Sequence, residues 1–180
     1  MKFSKKATGI SPSLTLGIDT LAKEMKAQGK DVISFGVGEP DFDTPQYIKE
    51  AAKAAIDRGC TKYTPVPGIM ELRQAISDRY KEVYGLDYGA TGVVVSNGAK
   101  QSLYNTFQAI LDPGDEVIII APYWVTYPEL VKMASGKPVI VEAREEDDFQ
   151  PRIEAIAQAV TPHTRAIVVN NPSNPCGNVY

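Results

Sequence analysis

The chain is poor in the residues that most often carry metal or nucleophilic chemistry. Its 180 residues hold one histidine, two cysteines and one tryptophan. The histidine, His163, sits in the polar connector Thr161-Pro162-His163-Thr164-Arg165, which reads as a surface loop before a strand. Ser/His or Cys/His catalysis and histidine-based metal sites are therefore not expected, and no metal is expected. Cys60 and Cys176 are too far apart in sequence to form a metal pattern, which suits a reducing, cytoplasmic setting. No apolar run approaches the roughly 20 residues of a membrane span. The basic start Met1-Lys2-Phe3-Ser4-Lys5-Lys6-Ala7 lacks the apolar stretch of a secretory signal. A net charge of −3 argues against nucleic acid or an anionic membrane as partner.

What is present is globular: 43% hydrophobic and 23% charged residues. Leu14, Ile18, Leu21, Ala22 and Met25 recur at helical spacing within residues 11–25, and Gly29 ends that helix. Val32-Ile33-Ser34-Phe35 reads as a short strand. Thr44 reads as an N-cap, with Pro45 at the first helical position. A Pro/Gly-rich loop, residues 63–68, leads to a helix expected to turn Leu72, Ile76, Tyr80 and Val83 inward. From Val93 onward, strands at Val93–Val95, Val117–Ile120, Val139–Val141 and Ala166–Val169 alternate with helices. The helices lie at 99–111, 127–135 and around Ile153–Val160. That alternation predicts an α/β fold with a parallel sheet. Ligands in such sheets bind beyond the carboxyl ends of the strands.

Three turns leave those ends. Ser96-Asn97-Gly98-Ala99-Lys100 enters a helix N-terminus, where free N–H groups and the dipole favour an anion. Gly98 would let the backbone approach a phosphate, although a glycine at such a turn has many structural causes. Ala121-Pro122-Tyr123-Trp124-Val125-Thr126-Tyr127-Pro128 gathers three aromatics. Trp124 suits stacking on a planar ligand; Tyr123 and Tyr127 fit packing against the sheet equally well. In Asn171-Pro172-Ser173-Asn174-Pro175-Cys176-Gly177 two prolines set the backbone. The Asn174 amide there offers a donor and an acceptor to a bound ring. An ordinary strand exit uses the same residue types. Gly38, in Gly36-Val37-Gly38-Glu39-Pro40-Asp41, is explained by a tight turn, or by a backbone contact to a substrate carboxylate.

Taken in order, these segments resemble a family. Phe35–Pro45, Lys62-Tyr63-Thr64-Pro65, Asn97–Gln101, Asp112–Val117, Pro122–Pro128 and Asn171–Gly177 look like the class I, fold type I, pyridoxal-phosphate aminotransferases, and among these the bacterial aspartate aminotransferase branch. The resemblance covers essentially the whole chain. It implies that Gly98, Ala99 and Lys100 cup the cofactor phosphate and that Trp124 stacks on the pyridine ring. Asn174 would bond the ring's phenolic oxygen on the substrate-carboxylate side. Gly38 would contact substrate, and Tyr63 would reach the phosphate of a neighbouring subunit, so that a homodimer shares its sites. Cys176 stands where many relatives have Thr.

The implied activity moves an amino group between an L-amino acid, aspartate first, and a 2-oxo acid such as 2-oxoglutarate. Aromatic, alanine or branched-chain substrates, or carbon–sulfur lysis, are alternatives on the same fold. The family's Schiff-base lysine is expected beyond Tyr180, so no catalytic residue is expected here and the chain alone is expected to be inactive. It looks like an N-terminal fragment. Residues 1–30 would be an arm and small-domain segment, and residues 31–180 the first part of the large domain. A non-catalytic binding module made by truncation is the alternative of another class. The resemblance also implies that, of the four expected strands, only the second and third are neighbours, the first and fourth requiring later strands.

Overall fold

The run Val117-Ile118-Ile119-Ile120 forms the middle strand of a three-stranded parallel sheet. The computed structural model describes residues 2–180. The chain divides into two units, Met1–Ser34 with Lys100–Tyr180, and Phe35–Ala99.

In the first unit the helices are α1 (Lys5–Thr8), α2 (Leu14–Ala27), α5 (Ala99–Ile110, from Lys100 onward), α6 (Thr126–Met133) and α7 (Ile153–Ala159). The strands are β1 (Glu116–Ala121), β2 (Lys137–Glu142) and β3 (Thr164–Val168), in the order β2-β1-β3. Ile118 faces Val139 on one side and Ile167 on the other. Central strands covered on both faces need apolar side chains at every position. Accordingly, Val117, Ile118 and Ile119 are completely buried. Val117 and Ile119 meet Phe107 and Leu111 at the end of α5, and Tyr127, Leu130, Val131 and Ala134 in and after α6. The α/β class and parallel sheet thus hold.

The strand pairing differs from expectation. β3, the fourth expected strand, pairs directly with β1 and needs no later strand as its first partner. The two run parallel because α7 supplies the crossover between β2 and β3.

A polar cluster closes the amino end of β1. Asp115, 8% exposed, accepts hydrogen bonds from the Asp112 N–H (2.9 Å) and Arg165 Nε (3.2 Å). Glu116, 7% exposed, binds Lys137 Nζ at 2.8 Å and the Thr161 hydroxyl at 2.7 Å. The Asp112 N–H, then Arg165, hold Asp115 below the ordinary carboxylate range, and Lys137, then Thr161, do the same for Glu116, against the opposing effect of burial. A folded-state pKa below the unfolded one gives stability that is present above the unfolded value, about 4, and lost as pH falls through the folded value. Denaturant midpoints should therefore fall below about pH 4. An Asp115→Asn/Glu116→Gln variant should show a flatter decline; an identical acid slope would refute this.

The second unit contains α3 (Gln46–Asp57) and α4 (Met70–Tyr84). Pro45, not Thr44, is the N-cap of α3, and no side-chain cap bond forms. The strand expected at Val93–Val95 is absent. The Val95 N–H instead donates to the Pro67 carbonyl at 2.9 Å, and Arg73 Nε donates to the Val93 carbonyl at 2.9 Å. Those two bonds serve backbone groups that a sheet would otherwise satisfy. Gly68 fits closely here: at φ 105°, an added Cβ would meet Val95 Cγ2 at 2.7 Å. The same arrangement turns α4 away from its expected face. Arg73 and Ser77 are buried, while Leu72, Tyr80 and Val83 stay exposed. Residues 32–35, the remaining expected strand, lie at the junction of the two units and form no strand.

Candidate functional site

The loops that leave β1 and β3 meet at the carboxyl end of the sheet. After β1 the chain runs through Pro122-Tyr123-Trp124-Val125 into α6. After β3 it runs through Asn170 to Tyr180. A narrow cleft between the two is lined by Pro122, Tyr123, Tyr127, Asn170, Ser173 and Asn174. Asn174 and the aromatic segment, far apart in sequence, thus share one wall system.

The β3 loop is held by its own hydrogen bonds. The Asn174 N–H donates to Asn170 Oδ1 (3.0 Å), and the Ser173 N–H to the Asn178 carbonyl (2.8 Å). The Gly177 N–H donates to the Ser173 carbonyl (2.7 Å), and the Tyr180 N–H to Asn171 Oδ1 (3.0 Å). Ser173 is buried beneath the loop. These bonds use the Asn174 backbone and leave its side-chain amide without a partner among the described residues. A side-chain amide of this kind can offer one donor group and one acceptor oxygen.

In the β1 loop the aromatics divide their work. Tyr127 belongs to the core, and burial pushes its phenol up. Trp124 is half-buried and stands edge-on to Tyr127, with centroids 5.4 Å apart and planes at 84°. Lys100 Nζ, from the first turn of α5, lies 5.0 Å from the centre of the Trp124 ring. This cation–π contact joins a positive charge to an aromatic face. Sequence reasoning named both residues but had no signal for their contact.

A second and larger cavity, about 700 Å³, opens beside this pair. Lys100, Tyr123, Val125 and Thr126 line one part of it; residues 10–14 and Glu129 line another. Sequence reasoning missed this N-terminal wall, whose residues Ile10-Ser11-Pro12-Ser13 carry no catalytic signature.

Gly38, Tyr63, Gly98 and Ala99 belong to the other unit. Gly38 and Tyr63 lie on exposed loop segments. Gly98 has φ 82° and open space where a Cβ would stand, directly ahead of the twelve-residue α5. That backbone is the kind that lets an anion approach helix N–H groups.

Within the first unit, the Lys100 cation lies against the Trp124 ring, and the neighbouring Tyr123 lines one cleft with Asn174. Residues 30–180 match the model of the family "Aminotransferase class I and II". The chain belongs to this family. Class I and II aminotransferases as a family depend on pyridoxal phosphate. Aspartate aminotransferase of Geobacillus stearothermophilus is 51% identical over all 180 residues, which cover 46% of that protein. An aspartate/prephenate aminotransferase of Thermus thermophilus is 48% identical over 177 residues, or 98% of this chain and 46% of that protein. The solved structure of a Thermus thermophilus aspartate aminotransferase single mutant superposes with TM-score 0.94 at 46% identity, over 100% of this chain and 47% of that one. That of Rhizobium meliloti aspartate aminotransferase gives 0.93 at 44% identity, over 100% and 45%. The resemblance to the bacterial aspartate aminotransferase branch is therefore borne out. The chain spans about half the length of these relatives. Among the described residues no helix is long and apolar enough to cross a membrane.

Proposed function

We propose that this chain is part of a pyridoxal-phosphate-dependent aminotransferase that exchanges an amino group between aspartate and a 2-oxo acid such as 2-oxoglutarate. The observation that carries the proposal is the contact of Lys100 with Trp124, whose neighbour Tyr123 lines one cleft with Asn174. The residues present fit the cofactor. The Gly98 backbone and the N–H groups at Ala99 and Lys100 suit its phosphate, the Trp124 ring suits its pyridine face, and the Asn174 amide suits its phenolic oxygen. Bound there, pyridoxal phosphate supplies an electron sink for bond breaking at the amino acid's α-carbon.

This chain's own residues bind and orient. Trp124 would stack on the ring, Asn174 would donate to its phenolic oxygen, and Gly38 would offer a backbone contact to the substrate. We assign residues 1–30 to an N-terminal arm and small-domain segment and residues 31–180 to the first part of the large domain. The working protein is a cytoplasmic homodimer in this proposal. Prephenate is a second amino acceptor to examine, because the Thermus thermophilus relative is named for it.

A chimera tests the proposal. Residues 1–180 replace the aligned segment of the Geobacillus stearothermophilus protein. The chimera should take up pyridoxal phosphate with visible absorption and turn over aspartate with 2-oxoglutarate. Trp124→Ala should weaken cofactor binding by about 0.5–1.5 kcal/mol for the lost aromatic pair, plus the lost apolar area, and should shift the absorption. A folded chimera that binds no cofactor would refute the function. Unchanged affinity and spectrum in Trp124→Ala would reduce that residue to packing.

A further inference from the structure

The N-terminal segment that walls the larger cavity is tied to α6 by a polar anchor. Within these 180 residues α2 buries only Ala22. The Ser11 N–H donates to Glu129 Oε2 at 3.1 Å, across 118 residues of sequence. The other carboxylate oxygen, Oε1, is held by Lys132 Nζ at 2.9 Å. The Glu129 side chain is only 16% exposed, and α6 fixes its backbone. Hydrogen bonds to charged acceptors are stronger than neutral ones. Two residues on, Ser13 caps α2 by accepting from the Leu16 N–H at 3.3 Å. The anchor thus lies two residues ahead of the cap that starts α2.

We propose that Glu129 is a positioning residue: it pins the segment Ile10–Leu14 as one wall of the 700 Å³ cavity beside Lys100 and Tyr123. Its oxygens are taken by Ser11 and Lys132, so it acts through the wall it holds. A wall of fixed shape raises ligand affinity by removing the cost of ordering it on binding. The choice of ligand rests on the aminotransferase proposal; the anchor itself does not.

Two measurements test it. The first is amide exchange at Ser11 in the 180-residue chain, which requires no activity. Glu129→Ala removes the acceptor and should speed exchange by roughly tenfold or more. Glu129→Gln keeps an acceptor oxygen and should fall between Glu129→Ala and the parent. Lys132→Ala leaves the acceptor in place and should change Ser11 little. The second is kinetics in the chimera. Glu129→Ala should raise KM for 2-oxoglutarate several-fold with kcat nearly unchanged, and Glu129→Gln should restore much of the loss. Equal Ser11 exchange in the parent and Glu129→Ala overturns the proposal. So does faster exchange with KM unchanged in an active chimera. If the chimera is inactive while Ser11 exchange follows the expected order, the aminotransferase proposal fails and the anchor stands.

Discussion

Ile119→Ala is expected to destabilise the 180-residue chain by about 2–5 kcal/mol. Ile119 is fully buried in the middle strand and shares a cluster with Phe107, Tyr127, Leu130 and Val131. Truncation removes the transfer energy of three carbons and leaves a cavity that the flanking strands, hydrogen-bonded on both sides, can fill only in part. For a domain stable by about 5–15 kcal/mol this is a large fraction. Ile167→Ala is the matched control. Ile167 lies on β3 and is 44% exposed, so its loss should cost well under half as much. Urea unfolding of the two variants decides the matter. A loss below about 1 kcal/mol at Ile119 would mean that the cluster is not the core it resembles. The consequence extends to the site. Tyr127 packs against this cluster on one side and against Trp124 on the other. A loosened β1 should therefore also shift the fluorescence of Trp124, the chain's single tryptophan.

How much of this was legible beforehand depended on where each element finds its partners. β1 was legible because an unbroken apolar run between turn residues has few uses other than a buried strand. The turns after β1 and β3 were legible because Pro, Gly and Asn set their backbones locally. Val93–Val95 carries the same β-branched signal as β1 yet forms no strand. Strand formation is a property of the ladder, and the groups that reach this segment are the Pro67 carbonyl and the Arg73 guanidinium. Helical periodicity for α4 selected an apolar face, but the Arg73 bond to Val93 buries the adjacent one. A periodic pattern cannot register a single charged side chain that reaches a carbonyl twenty residues away. At the site, sequence could nominate Lys100, Trp124 and Asn174 separately. That Lys100 lies over Trp124 depends on long-range packing, and that Tyr123 and Asn174 line one cleft depends on β3 pairing with β1; no local pattern states either.

Tyr63→Phe in the chimera is expected to weaken cofactor binding by about 1.5–3 kcal/mol, a tenfold loss or more, while the dimer stays intact. Tyr63 is fully exposed here, with its ring and hydroxyl turned to solvent. We propose that its partner is the phosphate on a neighbouring subunit. A phenol donates one charge-assisted bond to such an anion, and phenylalanine keeps the ring but not the donor. Mixing gives the sharper test. One parent carries Tyr63→Phe; the other lacks the Schiff-base lysine that the family resemblance implies for the Geobacillus stearothermophilus half. In the proposed mixed dimer each site would take Tyr63 from one chain and the lysine from the other. One site then carries both defects and the other carries neither. At cofactor concentrations too low to fill the Tyr63→Phe sites, activity should rise above that of both parents as subunits exchange. If Tyr63 served its own subunit, the only sites with a lysine would also carry the Tyr63→Phe change, and exchange would bring no gain. Mixed dimers that form without added activity would therefore overturn the cross-subunit role of Tyr63.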